Sequence, residues 1–236
     1  MTEHTIKQFD IELGHIRGKV LLLGGMVENQ INKAMEAFAE GDLAKCEQVI
    51  AYDHEVNRQE VELDESCARI IARMQPAAND LRLIMMVIKT ITDLERIGDE
   101  AKKIAKQARA MHSSDISHAP RVDLSHAAQS VIAMLRQSLD AFARVDSTIA
   151  VEVARRDKDV DAAFKATMRQ LITFMIEDPR TITRSLELLF IAKSIERIGD
   201  HAKNISEYVV YMDKGRDIRH LGIEALDQVA RESSKG

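Results

Sequence analysis

The 236-residue chain has no tryptophan, three prolines and two cysteines, and aromatics make up 4% of it. Few prolines leave long helices uninterrupted. Cys46 and Cys67 fall on one predicted helix, about 30 Å apart at 1.5 Å rise per residue. That excludes a disulfide between them and a two-thiol metal knuckle, and the reading is of two small apolar fillers. No apolar run reaches the roughly 20 residues that span a bilayer. The opening MTEHTIKQFDIEL is mixed in charge and lacks the apolar centre of a signal peptide. A net charge of -5 argues against a phosphate-binding surface, so no nucleic acid is expected as partner. The expectation is a soluble, cytoplasmic protein.

What is present favours helix. The chain is 45% hydrophobic and 30% charged, rich in Ala, Leu, Ile, Glu, Lys and Arg. Apolar residues recur with helical period between short breaks. The breaks predict helices over about 7–40, 43–74, 78–112, 124–144, 147–177 and 181–214. Gly41-Asp42 makes the first turn, and Gly24-Gly25 loosens or packs the first helix. Gln75-Pro76 and Asp178-Pro179 are stops. Val49, Val56, Leu63 and Ile70 form a seven-residue seam on the second helix. The polar stretch from Ser113 to Asp123, with Pro120, is the best linker. Beyond Gly215 a tail with one short helix is expected, disordered at its ESSKG end.

The chain repeats itself. LERIGDEAKKIA, from Leu94, returns as IERIGDHAKNIS, from Ile195, with eight of twelve positions identical. Asp53, Val56 and Asn57 are answered by Asp157, Val160 and Asp161, and Gln75-Pro76 by Asp178-Pro179. The expected fold is all-α: two tandem three-helix bundles over 1–113 and 114–215, with a tail over 216–236.

At 100° per residue, Glu95 and Asp99 fall on either side of Ile88, near Leu81 and Ile84. Glu196 and Asp200 flank Leu189 in the same way. Two carboxylates thus interrupt an apolar seam in each copy, while Arg82, Lys89, Arg96, Glu100 and Lys103 form the polar face. Such pairs repel unless partnered. A cation resolves the conflict, with Asp53, Asp157 and Asp161 adding ligands from neighbouring helices. This oxygen set suits Fe, Mn, Mg or Ca. The competing reading pairs Asp99 with Lys102, and Asp200 with Lys203, at i,i+3. Gly98 and Gly199 offer a close backbone approach. Glu60 and Asp64, lacking acidic counterparts at Phe164 and Met168, read as solvated surface. A single Glu-x-x-His match, Glu12 to His15, does not make a di-iron site. The other histidines are scattered, and no phosphate loop or nucleophile elbow is present.

These segments resemble the PhoU family of bacterial phosphate-uptake regulators. QPAANDLRLIMMVIKTITDLERIGDEAKKI and SIERIGDHAKNI carry the likeness, with GGMVENQI and GRDIRHLG supporting it. The resemblance implies two similar bundles side by side, a homodimer, and metal at the E/D-x-x-x-D motifs, with iron, zinc, magnesium or manganese. Glu95 with Asp99, Glu196 with Asp200, and Asp157 with Asp161 match that motif. Asp53 matches with Asn57 in place of the second acid. The resemblance also implies a negative regulator of the phosphate-starvation response. It would be an adaptor, not an enzyme, between the ATPase subunit of a phosphate ABC transporter and a membrane sensor histidine kinase. Membrane association would come only through those partners. A metal-storage bundle or metal-dependent enzyme is the alternative.

Overall fold

The structure, a computed structural model, describes residues 2–113 and 120–215, with side chains from residue 8 onward. The expected tail beyond Gly215 and the middle of the expected linker lie outside the described residues. Six long helices follow in order: α1 (Thr2–Glu40), α2 (Leu43–Met74), α3 (Ala78–His112), α4 (Ser125–Arg144), α5 (Ser147–Glu177) and α6 (Ile182–Lys214). A single 3-10 turn, Pro179–Thr181, separates the last two. No strand occurs among the described residues.

Local chemistry sets the boundaries. The Asp42 carboxylate accepts from the Lys45 amide at 3.0 Å and caps α2. Asp146 does the same for α5 through the amides of Thr148 and Ile149. Gln75 takes a left-handed conformation, φ 48°, and closes α2 just before Pro76. The seam Val49, Val56, Leu63 and Ile70 is buried, as are both free cysteines. α1 begins several residues before the expected start and runs unbroken through Gly24-Gly25. Gly24 is a packing contact: a Cβ there would come within 2.5 Å of Leu139 on α4.

α1–α3 pack on one another, as do α4–α6. The halves meet chiefly along α3 and α6, which run antiparallel. Arg82 lies over Tyr211, Lys89 over Tyr208, and Asp93 bonds His201. A second seam joins α1 to α4, where Arg136 donates to Glu28 at 2.6 Å.

The α3–α6 joint corrects the helical-wheel reading of the polar face. Glu100 is not solvated but 2% exposed, held by Arg197 at 3.1 Å and Lys103 at 2.9 Å. Asp93, equally buried, accepts from His201 at 2.7 Å and Asn204 at 3.3 Å. A three-helix bundle treats that face as its outside; packing two bundles together makes it an inside.

Candidate functional site

Each half carries an acidic groove between its second and third helices. In the N-terminal half, α2 contributes a stripe of Asp53, Asn57, Glu60 and Asp64, one turn apart, and α3 contributes Glu95 and Asp99. Asp53 is 1% exposed. Its Oδ2 accepts from Lys102 at 2.6 Å and from the Asn57 amide at 3.4 Å. Lys102 also reaches Asp99 at 3.5 Å, so one ammonium joins the two helices. The lysine therefore serves its helical neighbour and, more tightly, the aspartate across the groove.

Three oxygens here, Asp53 Oδ1, Asn57 Oδ1 and Asp64 Oδ1, are buried without a hydrogen-bond donor. Burial raises the Glu95 carboxyl above its ordinary range, and Asp99, Glu60 and Asp53 add to the rise. Burial likewise raises Glu60, helped by Asp64, and burial raises Asp64. The reading of Glu60 and Asp64 as solvated surface is thus corrected. α3 lies along the whole stripe and takes water from these acids, although the other half has no such acids to compare.

In the C-terminal half, α5 supplies Asp157 and Asp161, and α6 supplies Glu196 and Asp200. Asp157, Asp161 and Asp200 each place an oxygen within 4.8 Å of the other two, the one such trio among the described residues. Burial pushes Asp200 up to about 6, with Glu196, Asp157 and Asp161 adding to the rise. Lys203 donates to Asp157 at 2.7 Å, as Lys102 does to Asp53. Glu196 is drawn aside by Lys193 at 2.5 Å. Lys193 also stands over the Phe164 ring, 5.3 Å from its centre.

The two glycines allow the close approach expected of them, and what comes close is side chains. A Cβ on Gly98 would meet Gln30 Oε1 at 3.0 Å and Val56 at 3.2 Å. One on Gly199 would meet Val131 at 3.3 Å and Val160 at 3.4 Å. They make room for side chains from the bundle interior, beneath the groove floor.

Chemically, each groove is a row of carboxylates with too few donors, balanced by one lysine. All the named donors are oxygen, which fits a hard cation such as Mg, Mn or Fe better than zinc. Residues that sequence reasoning missed are Glu60 and Asp64 in the groove, Gln30 beneath it, and Asp93, Glu100 and His201 between the halves. His201 is buried in that joint, bonded to Asp93. Gln30 alone carried a signal: a polar residue on the inner face of α1, in step with Val27 and Ile31.

The family model described as PhoU domain matches this chain twice, at residues 20–108 and 124–209. A phosphate-specific transport system accessory protein PhoU homolog of Pseudomonas putida is 46% identical over 228 residues. That match covers 96% of this chain and 88% of the relative. The phosphate-specific transport system accessory protein PhoU of Escherichia coli K12 is 46% identical over 230 residues, covering 97% and 95%. The crystal structure of PhoU from Pseudomonas aeruginosa superposes with a TM-score of 0.84 at 45% identity, covering 88% of this chain and all of that one. The phosphate transport system regulatory protein PhoU of Streptococcus pneumoniae gives 0.82 at 29% identity, covering 89% and 98%. With both halves matched and relatives spanning nearly its whole length, the chain belongs to the PhoU family of phosphate-transport accessory proteins, which are regulators and not enzymes.

Proposed function

We propose that this protein is a cytoplasmic negative regulator of the phosphate-starvation response and of high-affinity phosphate uptake. It acts by binding: as a homodimer it links the ATPase subunit of the phosphate ABC transporter to a membrane sensor histidine kinase. It meets the membrane only through those partners. The observation that carries this reading is the family match over both halves, to relatives named for the phosphate-specific transport system. An adaptor of this kind changes a kinase only by binding its two states unequally.

The acidic grooves are the natural place for a cation in this scheme. Glu95, Asp99 and Asp53 would hold one in the N-terminal half, and Asp157, Asp161, Glu196 and Asp200 one in the C-terminal half. The buried, donor-less oxygens of Asp53 and Asn57 support this, as does the close trio at Asp157. Bound there, an ion would supply charge neutralisation between two helices, and so set their spacing. The same trio favours a second reading, a metal-storage bundle, which requires several ions per chain.

The test is a starvation-gene reporter in a strain lacking the protein, grown in excess phosphate. Expression there, silenced again by this chain, supports the regulator. A reporter that stays silent in the deletion strain overturns it. Elemental composition of protein purified without chelator, beside a variant with alanine at Glu95, Asp99, Glu196 and Asp200, decides between regulation and storage. One or two ions per chain, lost in the variant, fit the first; many fit the second.

A further inference from the structure

Gln30 is the most anomalous buried residue among the described residues. It is 0% exposed, yet neither its Oε1 nor its Nε2 has a hydrogen-bond partner. An unpaired carboxamide in an apolar interior is costly on both ends. The equivalent place in the C-terminal half is filled by a methionine: Met134 packs at Gly199 as Gln30 packs at Gly98. The site therefore tolerates an apolar side chain of the same length, and this half carries an amide instead.

Its surroundings indicate why. Gln30 Oε1 and Val56 Cγ1 both lie within 3.2 Å of the point where a Gly98 side chain would begin. The carboxamide thus shares the gap left by that glycine with Val56, which stands on α2 between Asp53 and Asn57. Both those residues present a buried oxygen with no donor. An orphan donor on α1 and two orphan acceptors on α2 thus flank the same interior layer, on either side of Gly98 and Val56. A half-turn of the carboxamide exchanges its two ends without changing its shape. The halves differ in step as well. Where α1 has Gln30, α2 has Asn57; where α4 has Met134, α5 has Asp161.

We infer that Gln30 is a positioning residue of the N-terminal acidic groove: its buried carboxamide, set against Gly98, orients Asp53 and Asn57 so that a neutral amide replaces the missing second acid. This rests on the reading that the groove takes a divalent cation. Supporting groups beneath metal ligands, when removed, typically weaken binding about 10- to 100-fold.

The experiment uses the full chain with Mn(II) as probe, free ion being followed by electron paramagnetic resonance. Asp157→Asn, Asp161→Asn and Asp200→Asn together silence the C-terminal groove and isolate the N-terminal one. In that background Gln30→Met should weaken Mn(II) binding about tenfold. Adding Asn57→Asp should restore it, because the Met–Asp pair of the other half is then rebuilt. In the converse background, with Asp53, Glu95 and Asp99 neutralised, Gln30→Met should leave binding unchanged. The inference is overturned if Gln30→Met changes N-terminal binding by less than about twofold, if both grooves weaken alike, or if Asn57→Asp gives no rescue. A second readout needs no metal. The side-chain NH2 resonances of Gln30 should shift in the metal-free protein on Asn57→Asp. If they shift and neither groove binds Mn(II), the cation reading fails and the positioning role stands. If they do not shift, the positioning role fails whatever the metal does.

Discussion

The two halves have one plan and solve one electrostatic problem differently. In both, a lysine on the third helix grips a buried aspartate on the second: Lys102 holds Asp53 at 2.6 Å, and Lys203 holds Asp157 at 2.7 Å. The N-terminal groove then spreads its acids along four positions of α2 and softens one of them to Asn57. The C-terminal groove concentrates three aspartates within 4.8 Å and pads the remainder with Phe164 and Met168. Duplication preserved the lysine–aspartate clasp. What diverged is how much negative charge stands beside it, and on the proposed cation reading that quantity would set both cation affinity and the stability of the ion-free protein.

The largest expected asymmetry is at the paired arginines. Both arginines are exposed, but Arg197 holds Glu100, which is 2% exposed. Arg197→Glu sets a like charge against a buried carboxylate and should cost about 3 kcal/mol, the lost pair and the added repulsion together being reduced by the half-exposed position of residue 197; Arg96→Glu should cost about 0.5 kcal/mol or less. Urea denaturation of the two variants measures the difference, and equal costs would mean the halves do not join through this pair. This also alters how surface-charge variants are chosen. Arg96 can be reversed to probe partner contact without loss of fold, but Arg197 cannot.

The clasps come next. Lys102→Met leaves Asp53 without its cation and should lower stability by about 2 kcal/mol, a buried-pair loss reduced by partial exposure of the lysine. Lys203→Met should do the same in the other half. Added Mn(II) should recover much of the loss in thermal melts of both variants. No recovery in either half would remove the case for a cation at the clasp.

The first hairpins differ at one residue. Gly41, φ 71°, is answered by Val145, φ 54°, a β-branched side chain in the left-handed region. Val145→Gly should therefore stabilise by about 1 kcal/mol. Gly41→Val should destabilise by more than that, because the His112 ring stands 3.0 Å from the new Cβ. Melting temperatures of the pair test whether the turns are equivalent.

The smallest effect is the pH dependence that Asp200 gives the C-terminal half. The folded Asp200 carboxyl sits at about 6 against an ordinary 3.8. The folded state therefore binds this proton more tightly than the unfolded one. Its contribution is fully present below about pH 4 and is lost as pH rises through about 6. Asp200→Asn should flatten that window and stabilise the metal-free protein at pH 7 by about 1 kcal/mol, after allowing for solvent screening. Cation affinity of this groove should fall as pH drops below about 6. A pH titration of stability that is unchanged in the variant would contradict it.

Most of this architecture is legible along single helices. Six helices, the buried α2 seam and the paired carboxylates all follow from periodicity and spacing. Misreadings arise where a second body covers a face. Glu100 and His201 look like solvent-facing positions on isolated helices and become interior when α3 meets α6. Glu60 and Asp64 read as surface because their repeats, Phe164 and Met168, are not acidic; a comparison of the halves hides a feature that only one half has. Gln30 is one polar letter on an amphipathic helix. Its importance depends on Gly98 and Val56, far along the chain, closing around it.

The lysine clasp gives the protein its own exchangeable counter-ion. A metal ion settling in either groove would compete with an ammonium already seated on Oδ2 of Asp53 or Asp157. Metal-bound and metal-free proteins can then share one fold, because a tethered charge returns whenever the diffusible one leaves. If a metal is bound as proposed, chelation should consequently leave far-ultraviolet circular dichroism unaltered, while it would return two lysine side chains to their aspartates and so alter the groove surface.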